Sequence, residues 1–162
     1  MGITYNLLVQ GFVTDNMRDL SELNGPIEDG GEAPVLYADY SEWGYEATIV
    51  GYGLRGTLNL GEDEKFGRDG LAAAARNVIE EPYESQLTVD LDAPTDDDSD
   101  PDAVPLDLEG TPGSGDSGSP LWIETDEGWR IAGVTSSDIN FARVSYNIDF
   151  IREHFADVLT GY

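Results

Sequence analysis

The chain is cut into short strand-forming runs by glycine- and acid-rich turns, and a helical period shows only at its C-terminal end. Runs of this length, closed by turn residues, suit antiparallel strands. Residues 3–10 are rich in strand formers and end at Gly11. Residues 14–34 are polar, with turn signals at Asn24-Gly25-Pro26 and Asp29-Gly30-Gly31. Residues 47–53 read as a strand entering a glycine-rich bend, with residues 56–60 as its return. Residues 86–91 alternate, and residues 95–102 form a solvated acidic loop. Strands are expected at 120–124, 129–136 and 140–145, the first two joined as a hairpin by Thr125-Asp126-Glu127-Gly128. Residues 70–79, with four consecutive alanines, lean helical by propensity, a leaning that strand context often overrides in all-β folds. Asn147 is placed to cap a helix at about residues 147–160, which Gly161 stops. That helix puts Ile148, Ile151, Phe155, Val158 and Leu159 on one face. Many short strands and one terminal amphipathic helix make the pattern of an all-β barrel. With 162 residues and no internal repeat, the chain is one domain's worth.

Composition narrows the partners. Eight basic residues stand against 33 acidic ones, a formal charge of −25. Nucleic acid and anionic membrane surfaces are therefore excluded, because phosphate binding needs Lys/Arg patches. The charge fits a molecule that gains stability in high salt or with cations. The apolar fraction of 40%, with three Trp, eight Tyr and five Phe, argues against disorder. The absence of cysteine excludes disulfides, catalytic thiols and thiolate metal sites. Residues 1–13 have neither the basic start nor the apolar run of a signal peptide, and no stretch has the length of a membrane span. Asp98, Asp100, Asp102 and Glu109 mimic the ligand spacing of a calcium-binding EF-hand loop. Ala103 replaces the glycine that such a loop needs, and Pro101 and Pro105 interrupt it, so a plain acidic loop without a cofactor is the expectation and calcium the alternative.

Chemistry concentrates in Gly115-Asp116-Ser117-Gly118-Ser119-Pro120. A tight glycine turn lets the amides of Gly115 and Ser117 point at one spot, where an oxyanion could form, with the Ser117 hydroxyl beside it. This hexapeptide resembles the Gly-Asp-Ser-Gly-Gly-Pro signature of trypsin-like serine proteases of the chymotrypsin fold, with Ser119 in place of the second glycine. Other segments follow in the family's order. Ile49-Val50-Gly51-Tyr52-Gly53 is similar to the strand that opens the second barrel. Residues 75–79 and 89–94 resemble the mid-region of secreted bacterial members. Ile131-Ala132-Gly133-Val134-Thr135-Ser136 resembles the strand lining the substrate cleft. Arg143-Val144-Ser145 with Ile148-Asp149-Phe150-Ile151 resembles the family's ending and terminal helix.

The resemblance implies a chymotrypsin-like antiparallel β-barrel, mostly the second barrel, at 34–162, with residues 1–33 a remnant of the first barrel and linker. It implies a serine endopeptidase acting on protein or peptide, extracellular or periplasmic, with Ser117 the nucleophile and Gly115 an oxyanion-hole amide. Asp19, in a run similar to the one that carries the triad aspartate, is the candidate orienting carboxylate, and a surface aspartate is the equal alternative. Thr111, Ser114, Thr135 and Ser136 would line the substrate pocket, and Thr111 gives no support for a basic-residue preference. Asp116 would be a structural carboxylate, which in relatives pairs with a freshly cleaved N-terminal amine and here needs another donor. The imidazole base is missing: the one histidine, His154, falls on the terminal helix, far from the cleft. Inactivity of this chain alone is expected, and the rival reading is a non-catalytic homologue acting as a binding or scaffold protein. A single full barrel would also leave apolar surface, through Leu7, Leu8, Val9 and Phe12, for the missing N-terminal half or for self-association.

Overall fold

The computed structural model describes residues 33–57, 61–62, 70–80, 82–92, 105–137, 139–155 and 160–161, together with the backbone of two strands at 7–9 and 20–22. Those two, β1 (Leu7–Val9) and β2 (Leu20–Glu22), pair antiparallel as a separate ribbon. Asp19, Phe12 and the side chains of Leu7, Leu8 and Val9 lie outside the described residues.

Among the described residues the fold is mostly strand with one short C-terminal helix. Its main sheet draws on β3 (Val35–Tyr37), β4 (Glu46–Gly51), β7 (Ala73–Val78), β8 (Gln86–Thr88), β9 (Pro120–Thr125), β10 (Gly128–Thr135), β11 (Asn140–Arg143) and β12 (Thr160–Gly161). Strands β7, β4, β9, β10, β11 and β8 are bonded in that order, all antiparallel. β10 is long enough to change partners: Arg130 and Ile131 run parallel to β3, whereas Gly133–Thr135 pair with β11. A bulge against β9 between Ile131 and Gly133 marks the change. β12 adds to the far side of β3.

Alternation along these strands builds the core. Ala47 and Ile49 of β4, Leu121 and Ile123 of β9, Ala132 of β10, Phe141 of β11 and Leu87 of β8 are buried with Tyr37, Ile79 and Val89. Each fully buried aliphatic or aromatic side chain contributes about 1.5–3 kcal/mol. The helix α1 (Val144–His154) packs across β10 and β3, where Val144, Ile148 and Ile151 meet Leu36, Ala38 and Ile131.

Three expectations need correction. Residues 70–79 yield the strand β7, because six residues of pairing with β4 outweigh alanine propensity. The return of β4 is not residues 56–60: β5 (Gly56–Thr57) pairs with β6 (Gly61–Glu62) in a hairpin of its own, and β4 lies between β7 and β9. The helix begins at Val144, not at Asn147, and is over by Phe155; Gly161 pairs with β3 instead of stopping it. Arg143 occupies the N-cap in an extended conformation without a side-chain cap, and Asn147 Nδ2 donates to the Arg143 carbonyl at 2.8 Å. The chain turns early because Arg143 is already anchored. Its guanidinium meets both oxygens of Glu42, at 3.1 and 2.5 Å, and donates to the Tyr83 and Tyr40 carbonyls, each at 3.1 Å. The Ser145 hydroxyl completes the cluster by donating to Glu42 at 2.5 Å.

Tyr37 shows what burial does to a titratable group here. Desolvation raises its hydroxyl above the ordinary value of 10.0, against the opposing hydrogen bond with Ser41 at 2.8 Å. A raised folded pKa means that this stabilisation is complete below pH 10 and is lost as pH climbs through the folded value. Urea midpoints measured at about pH 9 to 12 should fall more steeply for the natural protein than for Tyr37→Phe. Equal slopes would remove Tyr37 as the cause.

Candidate active site

Residues 113–119 fold as two turns that share Asp116. The Asp116 amide donates to the Gly113 carbonyl at 2.9 Å, and the Ser119 amide to the Asp116 carbonyl at 2.9 Å. Gly115, with φ 104°, and Gly118, with φ 87°, hold the third position of each turn, in the left-handed region that type II turns demand and L side chains avoid. The sequence thus dictates the local path: a glycine sits wherever the backbone must reverse hand.

Both ends of this segment are tied down. At the rear, Gly118 donates to the Thr135 carbonyl and Thr135 to the Ser119 carbonyl, each at 2.9 Å, and the two hydroxyls of Ser119 and Thr135 meet at 2.9 Å. At the front, Leu54 donates to the Ser114 carbonyl at 2.9 Å. The Ser114 hydroxyl donates to Glu62 Oε2 at 2.7 Å, and its amide donates to Glu62 Oε1.

Asp116 lies beneath, its carboxylate facing the end of β4. Oδ1 accepts from the Gly53 amide at 2.6 Å and Oδ2 from the Gly113 amide at 2.9 Å. Backbone amides are therefore the donors this carboxylate requires. A Cβ at Gly53 would stand 2.7 Å from the Asp116 carboxylate, and one at Gly51 would overlap its Oδ1. The spaced pair Gly51 and Gly53 is what lets an acidic side chain reach the backbone here.

Above this support Ser117 is exposed. Its hydroxyl, its amide and the amide of Gly115 have no hydrogen-bond partner among the described residues. A free hydroxyl beside two free amides can approach a carbonyl and accept negative charge on its oxygen. His154 contributes nothing to this arrangement: Nδ1 meets the Phe150 carbonyl at 2.8 Å, and the ring packs on Phe150 at 4.4 Å between centroids.

The other residues singled out from sequence fall as follows. Thr111 is half-buried in the approach to the turn. Thr135 is buried and its hydroxyl is engaged with Ser119, while the Ser136 hydroxyl donates to the Asn140 carbonyl at 3.1 Å. The structure thus brings Ser114, Gly115, Asp116, Ser117 and Thr135 together. Asp19, Asp98, Asp100 and Asp102 lie outside the described residues. Glu109 spends both oxygens on backbone amides, Asp92 at 2.5 Å and Leu106 at 2.8 Å. No group of three or more acidic, His or Cys residues placed to hold a metal occurs among the described residues. No described helix is long and apolar enough to cross a membrane.

Sequence reasoning missed Gly51, Gly53 and Glu62. The two glycines carried a signal, since spacing of two on a strand end clears one face. Glu62 carried none, being one acid among 33.

Compared with known proteins, the chain matches no protein-family model and no curated protein.

Proposed function

We propose that this chain is a trypsin-like serine peptidase domain built on the second barrel of the chymotrypsin fold, with Ser117 as its nucleophile. The observation that carries the reading is the turn itself: an exposed Ser117 hydroxyl next to the amides of Gly115 and Ser117, all three without a hydrogen-bond partner among the described residues. The strand order supports it. β7 and β8 end the antiparallel series and follow each other in the chain, and the Glu80 amide, just past β7, donates to the Thr88 carbonyl of β8 at 3.0 Å, a neighbourhood that a barrel would require of the two ends. Substrates are peptides or proteins, no cofactor is needed, and the setting is extracellular or periplasmic.

In the reaction, Ser117 Oγ bonds to the scissile carbonyl carbon and its proton passes to a base. The carbonyl oxygen takes the negative charge under the Gly115 and Ser117 amides. Collapse then expels the amine, which receives the proton, and leaves an acyl-serine for water. His154, bonded to its own helix, is not that base. This chain alone therefore lacks triad-type activity, and the same observation favours the second reading, a non-catalytic homologue that binds peptides or acts as a scaffold.

Chemical rescue tests the nucleophile. A fluorophosphonate should leave the chain unlabelled at neutral pH, whereas added imidazole should yield one adduct, on Ser117, absent from Ser117→Ala. Without its base, such a site keeps only about 10³–10⁴ of rate over water. Stoichiometric labelling without imidazole would mean that a base is present, and no preference for Ser117 with imidazole would sink the peptidase reading.

A further inference from the structure

We propose that Glu62, on the β5–β6 hairpin, is a positioning residue for the Ser117 turn, holding its front half in working form through Ser114. The proposal rests on the reading of Ser117 as nucleophile. Ser117 hangs between two anchorages of different origin. The rear one is Thr135, part of the main sheet through its pairing with Phe141. The front one lies off the main sheet: Glu62 belongs to a two-stranded ribbon, Thr57 opposite Gly61 and Gly56 opposite Glu62.

Glu62 takes both hydrogens that Ser114 can offer, one on each carboxylate oxygen, while Leu54 takes the Ser114 carbonyl. Three groups fix a single residue, so the peptide plane that follows, which carries the Gly115 amide, has its orientation set. Gly113 is held in the same grip: a Cβ there would stand 3.2 Å from Glu62 Oε1 and would overlap the Leu54 carbonyl, and its amide donates to Asp116. Two internal carboxylates, Glu62 on Ser114 and Asp116 on Gly53 and Gly113, thus order the turn from within the chain. The turn has no need of an ammonium group generated by cleavage.

Amide exchange followed by NMR on the full chain separates the anchorages. In Glu62→Ala, the Gly113 and Asp116 amides should exchange about tenfold faster or more, the worth of one charge-assisted hydrogen bond, while Gly118 and Thr135 stay within about twofold. Glu62→Gln, which keeps an acceptor oxygen, should recover part of the protection. Imidazole-assisted labelling of Ser117 should fall about tenfold in Glu62→Ala and recover in part in Glu62→Gln, since an oxyanion amide out of place costs transition-state stabilisation. Unchanged exchange at Gly113 and Asp116, or a loss shared equally with Gly118, Thr135 and the strands, overturns the proposal. A natural chain that imidazole cannot rescue, with the exchange pattern as expected, overturns the peptidase reading and leaves Glu62 a clamp on a turn of other use.

Discussion

Replacing Arg143 with methionine is expected to remove about 3–5 kcal/mol of stability, the cost of stranding a buried charge. Glu42 is 0% exposed and Arg143 4% exposed. Without the guanidinium, the Glu42 carboxylate keeps a single partner, the Ser145 hydroxyl, and the Tyr40 and Tyr83 carbonyls lose their donor. For a chain of this size the melting temperature should drop by about 6–20 °C. Arg143→Lys should recover little, because an ammonium cannot bridge both oxygens and two carbonyls at once while also keeping the place over the Tyr40 ring where the guanidinium carbon sits 4.3 Å from the centroid. The double variant Glu42→Leu/Arg143→Met should be more stable than Arg143→Met alone, since no unpaired charge remains. Denaturant midpoints of the three variants decide the matter. A loss below about 1 kcal/mol for Arg143→Met would show that the cluster is solvated, with its buried geometry counting for little.

This cluster also explains which parts of the fold could be read from sequence. The β9–β10 hairpin was legible because its information is local: two strand-forming runs flank a four-residue acidic turn, and Thr125 and Gly128 close that turn in register. β7 was ambiguous because its evidence is split. Its alanines favour helix, and what decides for strand is non-local, including Asn77, buried at 2% exposure, whose side chain donates to the carbonyls of Asp90 and Gly110. The helix start was misread for the same reason. Asn147 is a good local cap, yet Arg143 is fixed by a carboxylate 101 residues away, and no window of sequence contains both.

The site divides along the same line. Gly115 and Gly118 announce the reversals of the turn, and Ser117 between them reads as a presented hydroxyl. What holds the turn comes from elsewhere in the chain. Asp116 could be marked as a carboxylate in need of donors, but that these are the Gly53 and Gly113 amides follows only once β4 has been laid beside β9. Thr135 was legible as a neighbour and not as an anchor, since its hydroxyl serves Ser119.

Gly51→Ala should show how much the turn depends on that support. Gly51 closes β4 opposite Ala73, outside the left-handed region, so its backbone accepts alanine, and the smaller entropy of the unfolded chain would even favour the change. The nearest obstacle is Asp116, whose Oδ1 occupies the place of the new methyl group. An aspartate is too short to move aside and still reach both amides. The methyl should therefore expel the carboxylate, leave the Gly53 and Gly113 amides without acceptors, and cost about 2–4 kcal/mol. Fluorophosphonate labelling assisted by imidazole should fall with it, as the Gly115 amide leaves its position. The double variant Gly51→Ala/Asp116→Ala isolates the cause. If the clash with Asp116 is the whole effect, adding Gly51→Ala to Asp116→Ala should cost almost nothing, and the two changes should be coupled by about as much as Gly51→Ala costs alone. Additive losses in that cycle would mean that Gly51 is needed for the strand itself, and the account of Gly51 and Gly53 as a seat for Asp116 would fail.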